Sequence, residues 1–100
     1  MFVYNVTVSI DTALEKEWLE WMKEIHIPEV LETGCFIENK IFKVLTEVDT
    51  GATYSLQYFY QNEADIIRYR DTFAAELQRK HTEKYKDKFV AFRTLLEQIC

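Results

Sequence analysis

Phe2-Val3-Tyr4-Asn5-Val6-Thr7-Val8-Ser9-Ile10 is the stretch that decides the fold. Phe2, Tyr4, Val6, Val8 and Ile10 alternate with Val3, Asn5, Thr7 and Ser9. Successive side chains of a strand point to opposite faces, so this run predicts a strand with one apolar and one mostly polar face. The same alternation recurs where Tyr54, Leu56, Tyr58 and Tyr60 interleave with Ser55, Gln57, Phe59 and Gln61. Two such strands need cover on one side only, and the segments between the strands supply it.

After Ile10, Thr12 and Glu15 form a T-x-x-E capping box, which predicts a helix start. Leu14, Trp18, Trp21, Met22 and Ile25 then fall on one helical stripe. The helix is expected to stop or bend before Pro28, which lacks an amide hydrogen and disfavours helical geometry at Ile27. A further short turn, 29–33, would end at Gly34. Residues 35–48 are β-like, with a bend or bulge around 38–40. Asp49-Thr50-Gly51-Ala52 carries hairpin chemistry. Asn62 and Asp65 resemble a second helix cap, and Ile66, Ile67, Tyr69, Phe73, Ala74 and Leu77 give an apolar face running to about Lys80. Residues 81–88 read as a frayed continuation or a short separate helix, and 89–99 as the last strand. The order βαββαβ is the ferredoxin-like signature: four antiparallel strands, the first and third central, with both helices on one face.

The 100 residues suit one domain over 1–100, and 48% hydrophobic content with two glycines and one proline argues against disorder. Seventeen acids against twelve bases leave a net charge of −5, which gives no general attraction to a phosphate backbone or an anionic bilayer. Neither nucleic acid nor membrane is expected as a partner. Of the aromatics on strand three only Phe59 is expected on the open face, and the basic-glycine-aromatic pattern of an RNA reader is missing there. No apolar run approaches the ~20 residues that span a bilayer, and the first residues lack the charged and apolar regions of a signal peptide, so a soluble cytoplasmic protein is expected. Cys35 and Cys100 are too few and too far apart for a CxxC pair or a disulfide framework, and their role stays open. The acidic first helix and the bases of 79–88 could meet between subunits, although two solvated faces are the plainer reading.

The βαββαβ order, the tryptophan-bearing helix ending in His26-Ile27-Pro28-Glu29, the following Thr33-Gly34 and the Val90-Ala91-Phe92-Arg93-Thr94 of the last strand resemble a bacterial family of about this length. That family is a domain of unknown function whose architecture is similar to the dimeric α+β barrels. The resemblance covers essentially the whole chain. It implies a homodimer in which two sheets pair face to face, with the helices outside. In enzymes of the wider superfamily, among them antibiotic-biosynthesis monooxygenases and haem-degrading proteins, the ligand commonly lies between helices and sheet of one subunit. Mapped by architecture, that cleft would be lined by Tyr4, Trp18, Trp21, Met22, His26, Tyr58 and Tyr60. The family brings no catalytic residues.

His26 is the best catalytic candidate, since imidazole serves as acid or base near neutral pH. A place in the last helical turn would favour its charged form, and its plainer role is to satisfy terminal carbonyls. Trp18 and Trp21 are more often core than cofactor platform. No metal is expected, because His26 and His81 pair with no further ligand in a recognised spacing. No cofactor is expected. Gly34 and Gly51 are isolated, so no phosphate loop is indicated, and no nucleophile elbow suggests a hydrolase. Two functions remain. One is a homodimeric binding or interaction module. The alternative is a cofactor-independent enzyme, oxygenase- or isomerase-like, acting on a small apolar ligand near His26, which requires a cavity of about 300 Å³ or more.

Overall fold

The computed structural model describes residues 1–46 and 51–100. In chain order they form β1 (Phe2–Ile10), α1 (Glu15–Trp21), α2 (Ile27–Glu32), β2 (Glu38–Lys43), β3 (Ala52–Tyr60), α3 (Glu63–Arg68), α4 (Ala74–Lys84) and β4 (Phe89–Glu97). A 3-10 turn, Thr12–Leu14, precedes α1, and π turns at Met22–His26 and Tyr69–Phe73 join α1 to α2 and α3 to α4. The chain therefore has two long helical segments, each with a wide turn inside it. The sheet is antiparallel in the order β2-β3-β1-β4. This is the ferredoxin-like arrangement, with β1 and β3 central.

Register follows from the alternation. Tyr4 pairs with Tyr58, Val6 with Leu56 and Val8 with Tyr54, so the apolar sets of β1 and β3 share one face. Ile10, Trp18, Met22, Val30, Cys35 and Leu56 are the most deeply buried of the side chains between that face and the helices. Each buried side chain of this size contributes about 1.5–3 kcal/mol relative to exposure, so this layer is the main source of cohesion. On the opposite face, Ser55 Oγ donates to Asn5 Oδ1 (2.6 Å), Asn5 Nδ2 to Thr7 Oγ1 (3.1 Å) and Gln57 Nε2 to Ser55 Oγ (3.4 Å). The polar alternate residues thus satisfy one another across β1 and β3.

Several expectations are corrected. Of the stop or bend expected before Pro28, the stop does not occur: a π turn disturbs the helix at Met22–His26, and the chain stays helical to Glu32, with Pro28 in the first turn of α2. Within this continuous helix proline supplies no amide donor, and the π turn ahead of it gives the ring room. The capping box does not form. Asp11 caps instead, its carboxylate accepting from the Ala13 amide (2.9 Å), while the Glu15 carboxylate is drawn to the Tyr54 hydroxyl and to Lys43 Nζ. Asn62 stands at the N-cap of α3 without a side-chain cap bond. The second helical segment runs past Lys80 to Lys84 because His81 is buried rather than frayed. β2 starts at Glu38, where residues 38–40 pair regularly with β3, so no bulge lies there. β4 ends at Glu97, leaving Ile99 exposed. Val48, Asp49 and Thr50 of the expected hairpin lie outside the described residues. Gly51 has φ 77°, and a Cβ there would sit 2.6 Å from the Ile10 carbonyl oxygen, so the turn needs glycine.

Candidate functional site

The first π turn builds the site. Ile27 N–H donates to the Met22 carbonyl five residues back, which puts one more residue into the turn than an α-helix would hold. On a regular helix the Leu14-Trp18-Met22 stripe would carry Ile25 inward. Here Ile25 is 48% exposed and His26 is turned into the interior, 8% exposed. The second segment supplies the facing wall: its π turn closes through Ala74 N–H to the Tyr69 carbonyl, and α4 then brings Leu77 and His81 onto the sheet.

The two imidazoles meet with ring centres 5.7 Å apart. Trp18 Nε1–H donates to His81 Nε2 (2.9 Å), which fixes the His81 proton on Nδ1 and makes that ring a donor of known tautomer. Trp21 stacks on His26 (4.9 Å), and Phe89 meets His81 edge-on (4.3 Å). His26 Nδ1 and the Tyr85 hydroxyl are buried with no hydrogen-bond partner. Such orphans are costly and stand out in a folded chain.

Electrostatics follow from this burial. Loss of hydration lowers His26 to about 4, with Glu29 opposing the shift and Lys80 adding to it. The same cause lowers His81 to about 4, reinforced by His26 and Arg93. Both rings are neutral at pH 7. His26 therefore departs from the charged state expected of a helix end: the helix continues beyond it, and burial dominates. Burial also raises Tyr58 and Tyr69, which remain phenols.

Between the helices and the sheet lies a cavity of about 40 Å³. Its polar wall comprises His26, Gln78, His81, Tyr4, Tyr58, Tyr69 and Arg93, set among apolar groups that include Met22, Val8 and Leu56. Of the seven residues proposed from sequence, Tyr4, Met22, His26 and Tyr58 line this space. Trp18 is fully buried behind it, Trp21 packs on the far side of His26, and Tyr60 belongs to a separate surface groove with Phe2 and Ile66. His81, Tyr69 and Arg93 escaped the sequence reading. Leu77, His81 and Tyr85 at four-residue spacing, and Arg93 at alternate spacing with Ala91 and Leu95, were the available signals.

The acidic and basic helix faces meet within the chain, through Lys80 Nζ to Glu29 Oε2 (2.7 Å). Arg79 pairs with Glu76 and Glu83 on its own helix. Among the described residues no three His, Cys, Asp or Glu side chains are grouped to hold a metal ion, and no helix is long and apolar enough to cross a membrane. Cys35 and Cys100 are free thiols, the first buried and the second exposed.

The fold is that of a ferredoxin-like α+β domain. It belongs to the family described as a domain of unknown function, DUF4286, whose model matches residues 1–99. A search of curated proteins gives no match. Among solved structures, a dimeric ferredoxin-like protein from an uncultured marine organism is similar at TM-score 0.71 and 15% identity, covering 100% of this chain and 96% of that one. A monooxygenase of Streptomyces coelicolor, in complex with the ligand nanaomycin D, is similar at TM-score 0.60 and 14% identity, with 99% and 89% covered. An ethyl tert-butyl ether d family protein from Bacillus halodurans reaches TM-score 0.68 at 10% identity, with 99% and 100% covered. At these identities the likeness is one of fold.

Proposed function

We propose that this protein is a homodimeric interaction module whose subunits meet through the open faces of their sheets. One observation carries the reading. The face turned away from the helices has a polar, internally bonded centre, but its margins expose Val90 (70%), Phe92 (63%), Phe42 (49%) and Leu96 (40%). Apolar groups gathered on one face of a sheet mark an interaction surface, and a hydrogen-bonded centre can be desolvated without loss. The similar fold of a dimeric ferredoxin-like protein supports the same reading. The net charge of −5 disfavours nucleic acid and anionic membranes as partners and suits a cytoplasmic protein.

Light scattering at micromolar concentration should return twice the 12.0 kDa chain mass. Phe92→Asp, which sets a carboxylate into the apolar margin of both sheets, should give monomers with unchanged far-UV circular dichroism. A wild-type monomer at that concentration would overturn the assembly.

The competing reading is a cofactor-independent enzyme acting on a small apolar molecule in the cleft. The inward His26 beside Tyr58 favours it. The cavity opposes it, since about 40 Å³ is far below the ~300 Å³ that encloses an organic substrate.

A further inference from the structure

We infer that the cavity between His81 and Arg93 is a binding site for the carboxylate end of a small organic acid. The charge balance comes first. The walls of the cavity carry no carboxylate, yet they include the Arg93 guanidinium. Arg93 lies on β4 opposite Val6, on the helix side of the sheet. It makes no hydrogen bond or ion pair among the described residues, although Arg79, Lys80 and Lys43 all hold carboxylates elsewhere. A planar guanidinium left free at the edge of a partly apolar cavity is the side chain best suited to a planar anion.

The remaining groups select in the same direction. His81 accepts from Trp18 through Nε2, so its Nδ1 can only donate. Tyr58 and Tyr69 are held as hydroxyls by burial and also offer donors. Arg93 stands near enough to His81 and Tyr69 to influence the ionisation of both, which puts one positive charge and two donors around one space. The space admits roughly three waters, the size of a carboxylate group, so the body of the acid would extend outward past Gln78 and Arg93. A single guanidinium offsets a single charge, which favours a carboxylate over a doubly charged phosphate. This inference does not depend on dimerisation.

The chain has only two histidines, His26 and His81, so their imidazole carbon-bound protons are a clean reporter by NMR. Sodium butanoate, titrated at constant ionic strength, should shift the His81 and His26 signals saturably with a millimolar midpoint. Neutral butanamide should not. Arg93→Gln, a change at an exposed position, should weaken butanoate roughly tenfold or more, and Arg93→Lys less, because it keeps the charge and loses the fork. Butanamide acting as well as butanoate, an unchanged midpoint in Arg93→Gln, or no saturable shift by about 50 mM would each overturn the assignment.

Discussion

His26 and His81 show how a single side chain ties the interior to solution conditions. Both are held near pKa 4 by burial, against 6.5 when free. The unfolded chain takes up two protons as pH falls through 6.5, whereas the native pair stays neutral until about 4. Their contribution to stability is therefore complete above pH 6.5 and is lost as pH falls from 6.5 towards 4. Glu29 moderates this for His26; Lys80 beside His26, and Arg93 beside His81, work the other way. One pKa unit is about 1.4 kcal/mol, so even half of the combined shift amounts to a few kcal/mol. Urea unfolding at pH 7.5 and pH 5 should show the midpoint falling. In His26→Phe, which removes one titration and the unpartnered Nδ1 together, the fall should be roughly halved. A midpoint that does not move between these pH values would show that the rings are hydrated in the native state.

At the scale of elements, the π turn at Met22–His26 and Pro28 are parts of one device. Proline crowds the carbonyl four residues before it in a regular helix, at a cost of ~3 kcal/mol or more. The wide turn ahead of Pro28 relieves that crowding, and its extra residue exchanges Ile25 for His26 on the inner face. Deleting the exposed Lys23 should restore an α turn and return the crowding. The deletion should destabilise the wild type, yet cost at least about 1 kcal/mol less in a Pro28→Ala background, a coupling that a double-mutant cycle in urea would measure. Additive effects would separate the proline from the turn. The same device explains what could not be read along the chain. A 3.6-residue period placed Trp18 and Met22 correctly, but it assigned Ile25 inward, because nothing local announces where a helix takes an extra residue. Pro28 points to a disturbance, a stop or a bend, and which of the two it causes depends on packing against the sheet.

Across the whole molecule, legibility divides between pattern and convergence. The period-two runs at Phe2–Ile10 and Ala52–Tyr60 determine which faces are apolar, and with them the strand order and helix layer, because an apolar sheet face has few ways to be covered. The candidate site depends on side chains far apart in sequence. His81 lies 63 residues from the Trp18 that fixes its tautomer, and no spacing rule joins them. Tyr4, Met22, His26 and Tyr58 were accessible because they lie on the apolar faces themselves; Arg93 was hidden by a strand whose pattern is mostly apolar. The open sheet face has the opposite character, since its exposed Phe42, Phe92 and Leu96 are covered by nothing among the described residues. If that face is buried only in the dimer, folding and association are linked, and thermal stability must depend on chain concentration. A tenfold dilution removes about 1.4 kcal/mol from a two-chain assembly, which for some 200 residues lowers Tm by roughly 3 °C or more. Differential scanning fluorimetry over a hundredfold concentration range should show that slope in the wild type and none in Phe92→Asp; a concentration-independent wild-type Tm would mean that the sheet face contributes nothing to the stability of the fold.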